Sequence, residues 1–291
     1  MPVASYQTRL KKMSTTLKEV VEYGLDVGEE TLALNNYIGT EIEIKFDGKI
    51  HCVFCGKMMN KSYAGGSCYQ CMQTLPQNDM CQMKPELCHF KRGTCRDSEW
   101  GEKHCFTPHK VYLARSSGIK VGITREIPTE TRWMDQGAVE GMVIAEVPDR
   151  HTSGLVETAI AQHIQDKTDF RKMLRGEISE EDLMEVYENI VDSVPMQYQQ
   201  HLLADLTSVV IKYPLGKHPE KIKPLSLDKQ SEIKAKLEGI KGQYLIFEDF
   251  VFNMRAHSGY EVTFQGAPTG GFDASKQPED EEPMNLFDLM G

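Results

Sequence analysis

The chain has 291 residues, a mass of 33.0 kDa, and 43 acidic against 33 basic side chains, a formal charge of -10. With 40% hydrophobic residues it can fill a core of domain size, while its acidity argues against coating nucleic acid by bulk electrostatics. No apolar run approaches the roughly 18 residues that span a bilayer, and the start MPVASYQTRLKK has no secretory apolar stretch, so a cytoplasmic protein without a membrane partner is expected.

In chain order, residues 5 to 23 read as an amphipathic helix, and TEIEIKFDGKIHCV reads as a hairpin turning at Asp47-Gly48; together they make a first unit over 1–50. All eight cysteines follow between Cys52 and Cys105, defining a module over 51–109. Cys52-x2-Cys55 and Cys68-x2-Cys71 have the spacing of two zinc knuckles, each turn aiming two thiolates at one point. Four thiolates in a tetrahedron suit zinc, with an iron–sulfur centre as the alternative. Cys81, Cys88, Cys95 and Cys105 form an irregular second quartet, with His89, His104 and His109 near enough to replace any one of them. The expectation is two structural zinc ions that substitute for a core; small buried hydrophobes are the other reading of the second quartet.

HKVYLA and IKVGIT then read as strands, PTETRWMDQGA as a helix, GMVIAEV as a strand and SGLVETAIAQHIQD as a helix capped by Ser153. This is a β-β-α-β-α unit over 110–176. A helix from Ile178 to Leu206, capped by Ser179, and strands in TSVVIKYPL, GQYLIFEDFVFNM and GYEVTFQ around a charged helix near 227–238 make a C-terminal α/β segment over 177–265. From 266 onward, APTGGFDASKQPEDEEP reads as a disordered acidic tail leading to MNLFDLMG. The class is α+β.

From Cys81 to Arg125 nine basic residues face four acidic ones, a local basic stretch within an acidic chain. The same region carries a resemblance. Val111-Tyr112, Lys120-Val121-Gly122, Arg132 and Glu157 fall in the order of a GIY-YIG nuclease-type domain, nearest to its divergent branch reading KIGIT. Over roughly 20 to 265, strings such as GTCR, VYLA, KVGITR, DQGA, SGLVE and KGQYLIF resemble domain-of-unknown-function family 2797, a bacterial family.

The nuclease resemblance implies a catalytic set of Tyr112, Lys120, Arg132 and Glu157, with Glu157 on Mg²⁺ or Mn²⁺. It also implies phosphate contacts from Arg115, Lys120, Arg125 and Arg132. Lys120 stands where the second motif has tyrosine, which shifts the expectation from cleavage to nucleic-acid binding on the same fold. An active endonuclease and a protein–protein adaptor are the alternatives. Met284, Leu286 and Phe287 resemble the short motif that docks on a bacterial sliding clamp, with Pro283 in place of its glutamine.

Overall fold

A computed structural model describes residues 3–125, 128–164 and 168–269. Met284, Leu286 and Phe287 lie outside the described residues. The described chain is α+β, with four sheets among its described residues.

The largest sheet joins the two ends of the sequence. Its order is Ala4–Arg9, Tyr260–Gly266, Glu41–His51, Glu232–Lys236, all antiparallel, with Met58–Met59 added to the Glu41–His51 strand. Alternate residues face inward: Ile42, Ile44, Val262, Phe264 and Ile233 are buried, and Phe264 stands opposite Ile44. The first and last expected units therefore share one sheet.

Four expected elements differ. Residues 5 to 23 are extended, as Ala4–Arg9, Ser14–Thr16 and the start of Glu22–Val27, not a helix. Leu10, Met13, Leu17 and Val21 do fall at helical spacing and are buried or partly buried, but each is delivered to the core by an extended chain. Asp47-Gly48 is not a hairpin turn. It lies inside one eleven-residue strand, where Gly48 takes φ +79° and the register against Tyr260–Gly266 shifts, so this glycine forms a bulge. The charged segment near 227–238 contains the strand Glu232–Lys236, whose charges alternate outward around buried Ile233. The long helix over 178–206 is two short ones, Leu183–Ile190 and Met196–Gln199, interrupted at Pro195 and capped by Asp182 and not by Ser179.

The β-β-α-β-α order over 110–161 is present. His109–Arg115 pairs with Ile119–Arg125 on one side and Glu140–Val147 on the other, and Ser208–Val210 extends the sheet beyond Glu140–Val147. Val111 and Leu113 face a core with Val156, Ile160, Leu183 and Ile190, while Tyr112 and Ala114 face the opposite core with Trp133 and Met134. The helix Thr129–Gln136 ends at Gly137, left-handed at φ +72°. The helix Arg150–Ala161 is capped by Asp149, which accepts from the Thr152 N–H at 2.7 Å; Ser153, expected as the cap, is buried and donates to the Arg150 carbonyl.

The DQGA and KGQY strings meet in a joint between this sheet and the rest of the molecule. Gln243 donates to Asp135 at 2.9 Å and to the Met13 carbonyl, and accepts from the Met13 N–H at 2.7 Å. Lys12 pairs with Asp135 at 2.7 Å, Tyr112 donates to Gln136, and Tyr213 donates to the Ala138 carbonyl at 2.7 Å. Lys241 lies over the Tyr213 ring. Replacing Gln243 by Leu keeps the volume and strands three buried partners, one charged. Urea unfolding of this variant is expected to show a loss of about 2–4 kcal/mol with the m-value unchanged.

Candidate functional site

The first quartet forms a metal-ligating cluster. Cys52, Cys55, Cys68 and Cys71 each place a sulfur within 4.8 Å of the others, and Cys55 Sγ stands 3.9 Å from Cys68 Sγ. A tetrahedral zinc with Zn–S bonds of about 2.3 Å needs sulfurs about 3.8 Å apart, so the donor set fits this ion. Cys52 Sγ accepts from the Cys68 N–H and Cys68 Sγ from the Cys71 N–H, because Cys68 caps the helix Tyr69–Thr74. Burial opposes the Cys52 thiolate, but backbone N–H donors bring its pKa down to about 6, while burial and the neighbouring thiols push Cys71 up to about 12. A cation is what lets all four ionise together.

The second quartet converges differently. Cys81, Cys88, Cys95 and Cys105 line one cavity, yet they are not drawn into a single-ion tetrahedron like the first four. The compact metal-capable group there is Asp79, Cys81 and His89. Each cysteine sits on its own turn, with six to nine residues between it and the next, so no Cys-x2-Cys loop aims two sulfurs at one point. His104 instead stacks on Trp100 and bonds its carbonyl, and His109 is buried with Nδ1 at 2.7 Å from the Thr107 carbonyl.

This second half of the cysteine module is locked against the Arg150–Ala161 helix. Arg150 donates to the Gln82 carbonyl at 2.7 Å, and its backbone N–H bonds the Cys105 carbonyl at 2.8 Å. The turn Pro85–Leu87 rests on Gly154, where an added Cβ would come 2.5 Å from Pro85 Cβ and 2.7 Å from the Glu86 nitrogen. Glycine is required there by close approach.

Under that contact the expected site residues gather. Tyr112, 1% exposed, lies across Gly122 of the edge strand, where a Cβ would stand 2.5 Å from the hydroxyl; this is the physical reason for glycine in KVGIT. The Tyr112 hydroxyl donates to Gln136 at 3.4 Å, and burial raises its pKa although the Arg132 guanidinium lies beside it. Burial pushes Glu157 up to about 7; Glu86 adds to this, while Arg150, Arg132 and Lys120 oppose it. Tyr112, Lys120, Arg132 and Glu157 are thus brought into one electrostatic neighbourhood. Arg125 is exposed at the end of its strand. Arg115 pairs with Glu140 at 2.7 Å and donates to the Ser179 carbonyl.

Sequence reasoning missed Arg150 and Glu86. Arg150 opens a helix in PDRHTSG with no motif spacing, and Glu86 belongs to the cysteine module, so only the packing of one on the other reveals them.

The fold and these centres define an α+β protein with a four-cysteine cluster able to hold a metal ion and a polar, partly buried site on a β-β-α-β-α unit. Residues 39–262 match the family model described as protein of unknown function DUF2797, and the chain belongs to that family. No curated protein and no solved structure matches it. Among the described residues no helix is long and apolar enough to cross a membrane.

Two outcomes are expected. Cys55→Ser should lower zinc, measured by elemental analysis of the reduced protein, by about one ion per chain and expose the 52–71 segment to proteolysis before the sheets unfold. Glu157 has a folded pKa of about 7 against an ordinary 4.5, so the folded state holds its proton more tightly than the unfolded chain. Wild-type stability relative to Glu157→Gln should therefore fall as pH rises from 4.5 to about 7 and level off above, which denaturant titrations at a series of pH values would read.

Proposed function

We propose that this is a zinc-containing nucleic-acid-binding protein on a GIY-YIG-like unit, with phosphate held where Lys120, Arg125 and Arg132 face the Glu157 neighbourhood. The observation that carries the reading is the grouping of cations there: Arg150, Arg132 and Lys120 all act on the half-buried Glu157 carboxylate, which Glu86 also reaches. Several cationic side chains converging on one face suit a polyanion and give little to an apolar ligand. Exposed Arg125 extends the positive edge along the same strand. The acidity of the chain as a whole then favours a confined footprint over non-specific coating.

A buried Tyr112, bonded to Gln136 and packed edge-on against Trp133 at 5.8 Å, supports binding over cleavage. Such a hydroxyl is committed to the fold and poorly placed to activate a water. The second reading, divalent-metal-dependent cleavage, is favoured by one feature, the proximity of the Glu157 and Glu86 carboxylates beside Tyr112 and Arg132.

Binding of labelled single- and double-stranded DNA and structured RNA, measured across a salt series, tests both. Arg132→Ala should weaken binding and reduce the salt slope by about 1, with Lys120→Ala in the same direction and Arg115→Ala nearly silent. No salt-sensitive binding by the wild type would contradict the proposal. Cleavage with Mg²⁺ or Mn²⁺ that Glu157→Gln abolishes while binding persists would establish the second reading instead.

A further inference from the structure

The second cysteine cavity has a chemistry that the nucleic-acid reading does not use, and the inference from it stands independently of that reading. Cys81 lies in the turn Met80–Gln82, Cys88 closes the turn Pro85–Leu87, and Cys95 and Cys105 flank the helix Ser98–His104. All four face one cavity. One tetrahedral ion needs its sulfurs about 3.8 Å apart, the spacing that the first quartet has and this one lacks. Four thiolates spread around a common cavity, one from each of four separate backbone segments, match a cubane in which each of four irons takes a single cysteine.

The compact group of Asp79, Cys81 and His89 does not replace them as a one-ion site. The Asp79 carboxylate pairs with Arg96 at 2.7 Å, accepts from the Cys81 N–H at 3.2 Å, and meets His89 Nε2 at 3.4 Å. His89 Nδ1 lies 2.8 Å from the Thr94 hydroxyl. The carboxylate oxygens are thus already engaged by a guanidinium, a backbone N–H and an imidazole. The group is a hydrogen-bond brace that sets the Cys81 turn against the segment leading to Cys95.

The surroundings suit a cluster. Phe90, Trp100 and Phe106 wall the cavity, with Phe90 and Phe106 ring centroids 4.4 Å apart, giving the apolar shell that limits solvent access to iron–sulfur centres. Gly101 brings the helix Ser98–His104 close: a Cβ there would lie 3.2 Å from the Phe90 ring and 3.4 Å from Cys95 Sγ. Gln82 Nε2 donates to Cys105 Sγ at 3.6 Å, and Arg150 supplies positive charge near Cys105 and Cys81. A cluster with four thiolate ligands is anionic, and such donors and cations stabilise it.

We propose that Cys81, Cys88, Cys95 and Cys105 ligate a [4Fe–4S] cluster, while zinc occupies the first quartet. Each thiol releases its proton to solvent and binds one iron of a preformed cluster, whose four irons and four bridging sulfides come from a cluster-donating protein; the four cysteines then fill the remaining coordination position on each iron.

The test is metal and acid-labile sulfide analysis of the full-length chain purified without oxygen from iron-replete cells, with visible absorption and iron-edge X-ray absorption on the same sample. The proposal expects about four iron, about four sulfide and about one zinc per chain, a brown chromophore, and an iron–iron scattering path. About two zinc ions with no labile sulfide would overturn it, as would iron without sulfide or no metal in the second module. Cys88→Ser and Cys95→Ser should each lose iron and sulfide while keeping zinc, and Cys55→Ser should lose zinc while keeping iron. Because a cysteine variant can fail to fold, the wild-type stoichiometry decides the matter by itself.

Discussion

The contact on which the candidate site depends is the one made by Arg150. Its guanidinium bonds the Gln82 carbonyl and its backbone N–H bonds the Cys105 carbonyl, while its charge also reaches Glu157. One residue thereby ties the cysteine-rich module to the helix Arg150–Ala161 and sets the electrostatics of the carboxylate on that helix. Pro85 against Gly154 fixes the same contact sterically. The shape of the candidate site therefore depends on the packing of the cysteine module against this helix.

On the other side, Tyr112 links the site to the larger core. Its ring lies between Gly122 and Trp133, and its hydroxyl meets Gln136, which stands next to Asp135 of the Lys12–Asp135–Gln243 joint. The sheet made from the two chain ends and the β-β-α-β-α unit are thus held in register by buried hydrogen bonds, not by apolar area alone. Buried polar groups of this kind are costly to leave unpaired, so DQGA and KGQY read most simply as structural strings.

What the sequence revealed followed the strength of its local signals. The Cys-x2-Cys pairs specified the first cluster because two tight turns leave the thiolates nowhere else to point. The strands at 109–115, 119–125 and 140–147 and the helices at 129–136 and 150–161 were legible because hydrophobic period and turn residues agreed, although the cap of the last helix is Asp149 and not Ser153. Residues 5 to 23 were misread because Leu10, Met13, Leu17 and Val21 fall at helical spacing while pairing with distant strands holds the chain extended; no local pattern encodes the partner 254 residues away that Gln7 meets in Glu261. Asp47-Gly48 carried a true demand for positive φ, met by a bulge and not a turn. Tyr112, Lys120, Arg132 and Glu157 were found by motif order, whereas Arg150 and Glu86 come from a contact between modules, and the spread of the second quartet depends on turns that spacing alone does not fix.

The central claim is that the face built by the Ile119–Arg125 strand and the Thr129–Gln136 helix, beside Glu157, receives a polyanion. Amide hydrogen exchange of the full chain with and without a saturating oligonucleotide tests it most directly. The account predicts slowed exchange in 119–125, 129–136 and the first turns of 150–161, with the sheet of Ala4–Arg9, Glu41–His51 and Tyr260–Gly266 unchanged. Protection confined to that end-to-end sheet or to the first cysteine quartet, with the Glu157 neighbourhood unaltered, would contradict it.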